Sequence, residues 1–212
     1  MSKNINISAR TIGALLEKSP WNNRWDTFMK IVKPPSNACN HGIKYENDAI
    51  EMYKLVSGNK NVKIDKSIHR HKKYDYITGQ VDGIVTLNDG KNAILEVKCP
   101  YNESFDPTDF KISSLYWIQV QIYMELFDID LSHYCEYYRF DDNNTFFRWK
   151  EIKRNKEWFN KLILSLNEIV DHITIPDINT YNPSRKRKRQ DKTTIEDDKT
   201  PKYFNEYKKF KK

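Results

Sequence analysis

Thr78-Gly79-Gln80-Val81-Asp82-Gly83-Ile84-Val85-Thr86-Leu87-Asn88-Asp89-Gly90-Lys91-Asn92-Ala93-Ile94-Leu95-Glu96-Val97-Lys98-Cys99-Pro100 carries two β-rich runs, Gln80 to Leu87 and Ala93 to Val97, on either side of Asn88-Asp89-Gly90. Asp-Gly between apolar runs is a strong short-range turn signal, so the stretch predicts a β-hairpin. Side chains alternate across a strand, which puts Glu96 and Lys98 on one face of the second strand and Leu95 and Val97 on the other. The apolar pair suits burial, so the charged face is either solvent or a site that holds charge. Asp82 on the first strand, then Glu96 and Lys98 on the second, is what a metal-dependent phosphodiesterase needs. Two carboxylates hold a hard cation, and a lysine steers or deprotonates the attacking water.

Upstream, Ser8 before Ala9-Arg10-Thr11-Ile12-Gly13-Ala14-Leu15-Leu16 reads as the N-cap of a helix that ends by Pro20. Ser8 and Arg10 could offer a hydroxyl, backbone N–H groups and a guanidinium to a DNA phosphate; the plainer alternative is a capped helix with a solvated arginine. A second helix is expected from Asn23 to Val32, then a loop at Pro34-Pro35-Ser36-Asn37. From Cys39, a stripe of Gly42, Tyr45/Glu46, Ala49, Met52/Tyr53 and Val56 predicts a helix closed by Ser57-Gly58. Glu46 falls on that stripe. A carboxylate there is costly without a partner, and the hairpin carboxylates with a cation would supply one; the alternative is an ion pair with Lys44 or another nearby basic residue.

Asn61 to Ile68 reads as a strand beside the hairpin, and His69-Arg70-His71-Lys72-Lys73 as a basic loop that could face a phosphate, its histidines solvated or, as the alternative, metal ligands. Glu103 to Phe110 is a polar connection. From Ser113 to Phe127, Leu115, Gln119, Ile122 and Leu126 share one helical stripe, so Gln119 is an inward amide that wants hydrogen-bond partners, while Gln121 is expected at the surface. Ser132 to Phe140 and Thr145 to Ile152 flank Asp141-Asp142-Asn143-Asn144 as a second hairpin, and Arg154 to His172 forms an amphipathic helix. This order predicts an α+β (α/β) fold with a central mixed sheet flanked by helices.

Asp82 followed by Glu96-Val97-Lys98 resembles the core of the PD-(D/E)xK nucleases, and Leu95-Glu96-Val97-Lys98-Cys99-Pro100 resembles the lambda exonuclease branch, also called YqaJ-type viral recombinases. Ile7-Ser8-Ala9-Arg10-Thr11-Ile12-Gly13 with Ser19-Pro20-Trp21 is similar to that branch's N-terminal element. His41-Gly42-Ile43-Lys44-Tyr45-Glu46-Asn47-Asp48-Ala49 is similar to its Gly-x-x-x-Glu helix, and Gln119-Val120-Gln121-Ile122-Tyr123-Met124 to its glutamine helix. Four motifs stand in the family's order, and the similarity spans about residues 7 to 170. Two departures stand out: Val81 takes the place of the usual proline, and the chain starts too near the first motif to carry an upstream arginine that some members use on a 5′-phosphate.

The resemblance implies a Mg²⁺-dependent exonuclease, with Mn²⁺ able to substitute, acting 5′→3′ on double-stranded DNA ends in viral recombination, repair or replication. It implies catalytic roles for Asp82, Glu96, Lys98 and Gln119. Asp82, Glu96 and the Val97 carbonyl would bind one metal ion, and Glu46 with Asp82 a second. A trimeric homo-oligomer and a single-strand annealing protein as partner are implied too. A structure-specific endonuclease or Holliday-junction resolvase with the same core, and a non-catalytic DNA-binding protein, are the alternatives.

The 212 residues suit one domain, and 38% hydrophobic composition allows a real core. Without a long apolar run or a signal-peptide core, a soluble intracellular protein with no membrane partner is expected. Cys39, Cys99 and Cys135 have no C-x-x-C spacing, which argues for reduced thiols and against structural zinc or an iron–sulfur cluster. Of 36 Lys+Arg and 29 Asp+Glu, the segment 181–212 holds 12 and 5, leaving 24 of each sign in residues 1–180. The whole net charge of +7 is therefore a property of the tail. The chain divides into a nuclease domain, 1–180, and a basic tail, 181–212, expected to be disordered. Arg185-Lys186-Arg187-Lys188-Arg189 in that tail reads as a nuclear localisation signal or a phosphate-binding arm, with the cytoplasm as the location if it is not read for import.

Overall fold

The computed structural model describes residues 6–16, 36–101, 108, 110–141 and 144–171. β1 (Ile7–Ser8) leads directly into α1 (Ala9–Leu15), and α2 (Asn37–Ser57) follows. Short strands β2 (Val62–Lys63), β3 (His69–Arg70) and β4 (Ile77–Gly79) precede the hairpin of β5 (Gly83–Thr86) and β6 (Asn92–Lys98). Then come α3 (Ser114–Phe127), a second hairpin of β7 (Leu131–Arg139) and β8 (Thr145–Lys153), and α4 (Lys156–Asp171). The expected helix at Asn23–Val32, the stop at Pro20, most of the Glu103–Phe110 connection and the tail lie outside the described residues.

Five strands form a mixed sheet in the order β2-β5-β6-β7-β8, in which β6 and β7 run parallel through the α3 crossover. A smaller sheet, β1-β4-β3, sits apart from it. The fold is thus the expected α+β arrangement. The central hairpin pairs Gly83 with Leu95 through Thr86 with Asn92, and its turn is closed by the Leu87 N–H donating to the Lys91 carbonyl at 2.8 Å. Gly90 takes φ 82°, the left-handed conformation the Asp-Gly signal anticipates.

The first β-run is not continuous. Ile77–Gly79 belongs to the small sheet, and the chain joins the large one at Gly83. Gly79 passes so close to α3 that a Cβ there would stand 2.6 Å from Leu126 Cδ1 and 2.7 Å from Tyr123 Cε1. Absence of a side chain lets strand and helix touch.

Other boundaries move for local reasons. α2 starts at Asn37 because Ser36 Oγ accepts the Cys39 N–H at 3.2 Å, so Ser36-Asn37 opens a helix and is not a loop. Ser8 holds the N-cap position of α1 without capping it; instead Thr11 Oγ1 donates to the Ser8 carbonyl at 2.8 Å. α4 starts at Lys156, where Asn155 Oδ1 accepts the Trp158 N–H. The strand expected over Asn61–Ile68 shrinks to Val62–Lys63. His69-Arg70 forms a strand, and its histidine is not freely solvated: His69 lies 2.9 Å from Asp65 Oδ2 and 4.4 Å from the Phe127 ring. His71 likewise stacks on Phe159.

A core fills each face of the large sheet. α2 packs Ala49, Ile50 and Tyr53 on Val85, Leu95 and Val97, while α1, α3 and α4 pack on Ile94, Tyr134 and Ile152. α3 is enclosed nearly all round, so Gln121, expected at the surface, is buried. Its amide donates to the Lys153 carbonyl at 2.9 Å and accepts from the Asn155 N–H at 2.7 Å, which ties α3 to the link before α4. Because Leu95 and Val97 face α2, the alternation of β6 delivers Glu96 and Lys98 to the α3 face.

Candidate active site

Glu96 is 1% exposed in the middle of this protein. Isolating an ionised carboxylate from water costs several kcal/mol, more than burying an apolar side chain returns (about 1.5–3 kcal/mol), so Glu96 needs partners. It has two on one oxygen: Oε1 accepts from Lys98 Nζ and, at 2.8 Å, from Gln119 Nε2. The other oxygen, Oε2, is buried with no hydrogen-bond partner among the described residues. Gln119 also donates to the Tyr123 hydroxyl at 2.8 Å, and its Oε1 lies 3.4 Å from Lys98 Nζ. The amide is thus spent on the charged cluster and not on backbone.

Asp82 is buried beside this pair. Its Oδ2 accepts the Val97 N–H at 2.8 Å, which fixes the carboxylate and draws the Val97 peptide to the site. Continuing the hairpin register one step past Gly83–Leu95 sets Asp82 opposite Glu96. Burial, then the closeness of Asp82, pushes Glu96 up to about 7; burial raises Asp82 as well. Burial works against the charge of Lys98, but Glu96 and Asp82 outweigh it and hold the lysine above its ordinary value. Lys98 Nζ also stands 4.8 Å over the Tyr116 ring. An ammonium so held can orient a water or a phosphate oxygen by donation. It cannot take a proton while both carboxylates are charged.

A family model described as the YqaJ-like viral recombinase domain matches residues 3–129. The chain belongs to that family. No curated protein matches it. Among solved structures it is similar to an alkaline exonuclease, LHK-Exo, from Laribacter hongkongensis, at 15% identity and TM-score 0.59, over 79% of this chain and 90% of that one. A phage-related exonuclease from Haemophilus somnus 129PT also aligns at 15% identity, with TM-score 0.54, over 79% of this chain and 91% of that one. At this identity the likeness is one of fold.

In this YqaJ-like chain, Asp82, Glu96, Lys98 and Gln119 come together as the sequence anticipates. Arg10 reaches the same cluster from α1: burial opposes its charge, but Tyr123, which it hydrogen-bonds, and the Glu96 and Asp82 carboxylates raise its pKa. Ser8, at the start of the same helix, has its hydroxyl 3.2 Å from Thr11 Oγ1. Glu46 is half-buried on α2 and bonds Lys66, the nearby-base alternative, from the loop after β2. Even so, it lies close enough to Asp82 to oppose its ionisation, and with Asp82 it helps burial push Cys99 up to about 12.

Tyr116 and Lys66 escape a reading of motifs, and Tyr123 lies within the glutamine-helix motif without a role of its own there. Tyr123 and Tyr116 lie four and three residues from Gln119, so helical spacing carries a signal for both. Lys66 has none, because a loop brings it to Glu46 from 20 positions away.

Among the described residues no group of three or more His, Cys, Asp or Glu meets the geometry of a metal centre. Lys66 bonds Glu46, and Lys98 bonds one oxygen of Glu96. What remains is a buried, unpartnered Glu96 Oε2 next to Asp82, and two carboxylates suit a hard cation that keeps several waters. These donors are of the kind that a hard divalent cation takes.

Proposed function

We propose that this chain is a Mg²⁺-dependent deoxyribonuclease, with Mn²⁺ able to substitute, that degrades one strand of double-stranded DNA from its end in the 5′→3′ direction. The observation that carries the reading is Glu96, buried beside Asp82 with one oxygen shared by Lys98 and Gln119 and the other unpartnered. Membership of the YqaJ-like family and the exonuclease names of LHK-Exo and the Haemophilus somnus protein support the class of activity. A cation held by Asp82, Glu96 and the Val97 carbonyl, with Glu46 and Asp82 serving a second, would screen the phosphate charge and make a bound water more acidic.

The chain's own groups do the rest. Gln119 fixes the Glu96 carboxylate, so no reorganisation is needed at the moment of reaction. Lys98 donates to the attacking water or the phosphate oxygen, and the enclosing α3 face keeps bulk water from screening that charge. Arg10, with Ser8 at the start of α1, faces the DNA phosphate. The protein acts in viral recombination, repair or replication as a homo-oligomer, a trimer by resemblance, alongside a single-strand annealing protein. Residues 185–189 serve as a nuclear import signal; replacing them by alanine in a fluorescent fusion should disperse it from the nucleus. Among the described residues no helix is long and apolar enough to cross a membrane.

Digestion of end-labelled linear duplex, with and without a 5′-phosphate, alongside closed circular DNA, in Mg²⁺ and in Ca²⁺, tests the activity. Linear duplex should be shortened from its 5′ ends in Mg²⁺. Cleavage of the circle would favour an endonuclease or resolvase, and inertness on both would leave a DNA-binding protein.

A further inference from the structure

Past Lys98 the chain leaves β6 through Cys99 and Pro100 to Tyr101, whose side chain is 54% exposed. Its ring lies 5.2 Å from His41 on α2, and His41 lies 4.6 Å from Tyr45 one turn further on. Tyr137 floors the group, 6.4 Å from Tyr45 and itself buried. Two cations stand over the Tyr45 ring, Lys44 Nζ at 4.9 Å and the Arg139 guanidinium at 5.3 Å. His41 Nε2 is buried, with no hydrogen-bond partner among the described residues. Burial, then Lys44, lowers the His41 pKa.

An aromatic group serving packing alone would be closed over, whereas this one keeps Tyr101 open and carries cations at its rim. Rings open to solvent with interleaved positive charge bind unpaired bases, tolerantly of sequence because every base has a π-face. Position says which bases. Tyr45 immediately precedes Glu46, and Tyr101 is three residues beyond Lys98.

We propose that His41, Tyr45 and Tyr101, with Lys44 and Arg139, form a stacking site for an unpaired DNA base next to the scissile phosphate. The location rests on the nuclease reading. A strand can enter the Asp82–Glu96 site from a duplex only by parting from its complement, and the terminal base then loses its stacking neighbour. Tyr101 replaces that neighbour, with Lys44 and Arg139 supplying positive charge beside it.

Fluorescence anisotropy of a labelled single-stranded oligonucleotide, without divalent cation, tests the site on the full chain. Tyr101→Ala should weaken binding about tenfold or more, the scale of one lost base stack. Tyr101→Phe should bind as the unmodified protein does, and Tyr101→Ala should also lose any preference for forked over blunt ends in cleavage. Binding by Tyr101→Ala within twofold of the unmodified protein, or equal loss in Tyr101→Phe, overturns the proposal. Tyr101-dependent strand binding without any cleavage sustains the site and sinks the nuclease reading; cleavage with binding indifferent to Tyr101 does the reverse.

Discussion

Gln119 Nε2 donates to Glu96 Oε1 across 2.8 Å, joining the middle of α3 to β6 at the carboxylate that Lys98 also holds. Positioning and charge compensation therefore meet on one oxygen. Lys98→Ala is expected to abolish Mg²⁺-dependent cleavage while DNA binding survives, and Gln119→Ala to slow it at least tenfold, roughly 1.4 kcal/mol of barrier. Single-turnover cleavage beside a binding titration checks both. Retention of cleavage within about tenfold by Lys98→Ala would remove the lysine from the chemistry.

Acidity should matter to stability in a set direction. Burial, then Asp82, pushes Glu96 up to about 7 from the ordinary 4.5. Between those values the folded chain binds more protons than the unfolded one. Its stability is greatest below the unfolded pKa and falls as pH rises towards 7. Without divalent cation, the melting temperature should therefore be lower at pH 8 than at pH 5. Glu96→Gln should flatten that dependence, and Mg²⁺ should recover more stability at pH 8 than at pH 5. Calorimetry over this range reads all three, and an unchanged slope in Glu96→Gln would contradict the assignment.

Glu46 separates function from packing. Its contact with Lys66 is a partly exposed ion pair between side chains 24% and 52% exposed, worth little to folding, at most about 1 kcal/mol. Glu46→Ala should accordingly cost more than tenfold in turnover and hardly shift the melting temperature. Parallel loss of both would show a structural carboxylate.

The opposite behaviour is expected of Arg154. Its guanidinium bonds both oxygens of Glu125, at 2.7 and 2.6 Å, and Asp128 at 2.6 Å, with the arginine side chain 9% exposed. Arg154→Ala strands Glu125, so about 3–5 kcal/mol of stability should go. Cleavage per folded molecule should persist, as denaturant titration with activity measured well below the transition would show.

The parts of the fold legible in the sequence are those written in short-range chemistry. Both long hairpins, the α2 stop at Gly58 and the burial of Leu95 and Val97 follow from turn residues and period-two alternation. Glu96 and Lys98 are legible as a charged pair on one face of an otherwise apolar strand, and Gln119 as an amide on an apolar helical stripe, because such groups demand partners. Gln121 misled because its partners, Lys153 and Asn155, lie more than thirty residues away, and a helix covered on several sides has no surface face to predict. The histidines misled for a related reason, since Phe127 and Phe159 cover them from distant elements. Lys66 shows the limit most plainly: nothing near it in the chain announces Glu46.

The approach of Gly79 to Tyr123 and Leu126 reaches beyond folding into ancestry. Tyr123 is the second acceptor of the Gln119 amide and the hydroxyl that Arg10 meets, so a methyl group at position 79 would push on the ring that both depend on. Relatives that have lost the glycine should have lost the tyrosine in the same lineage, and those that keep one should keep the other. Covariation of the two positions among homologues would record a steric bargain struck between a strand and a helix 44 residues apart in the sequence.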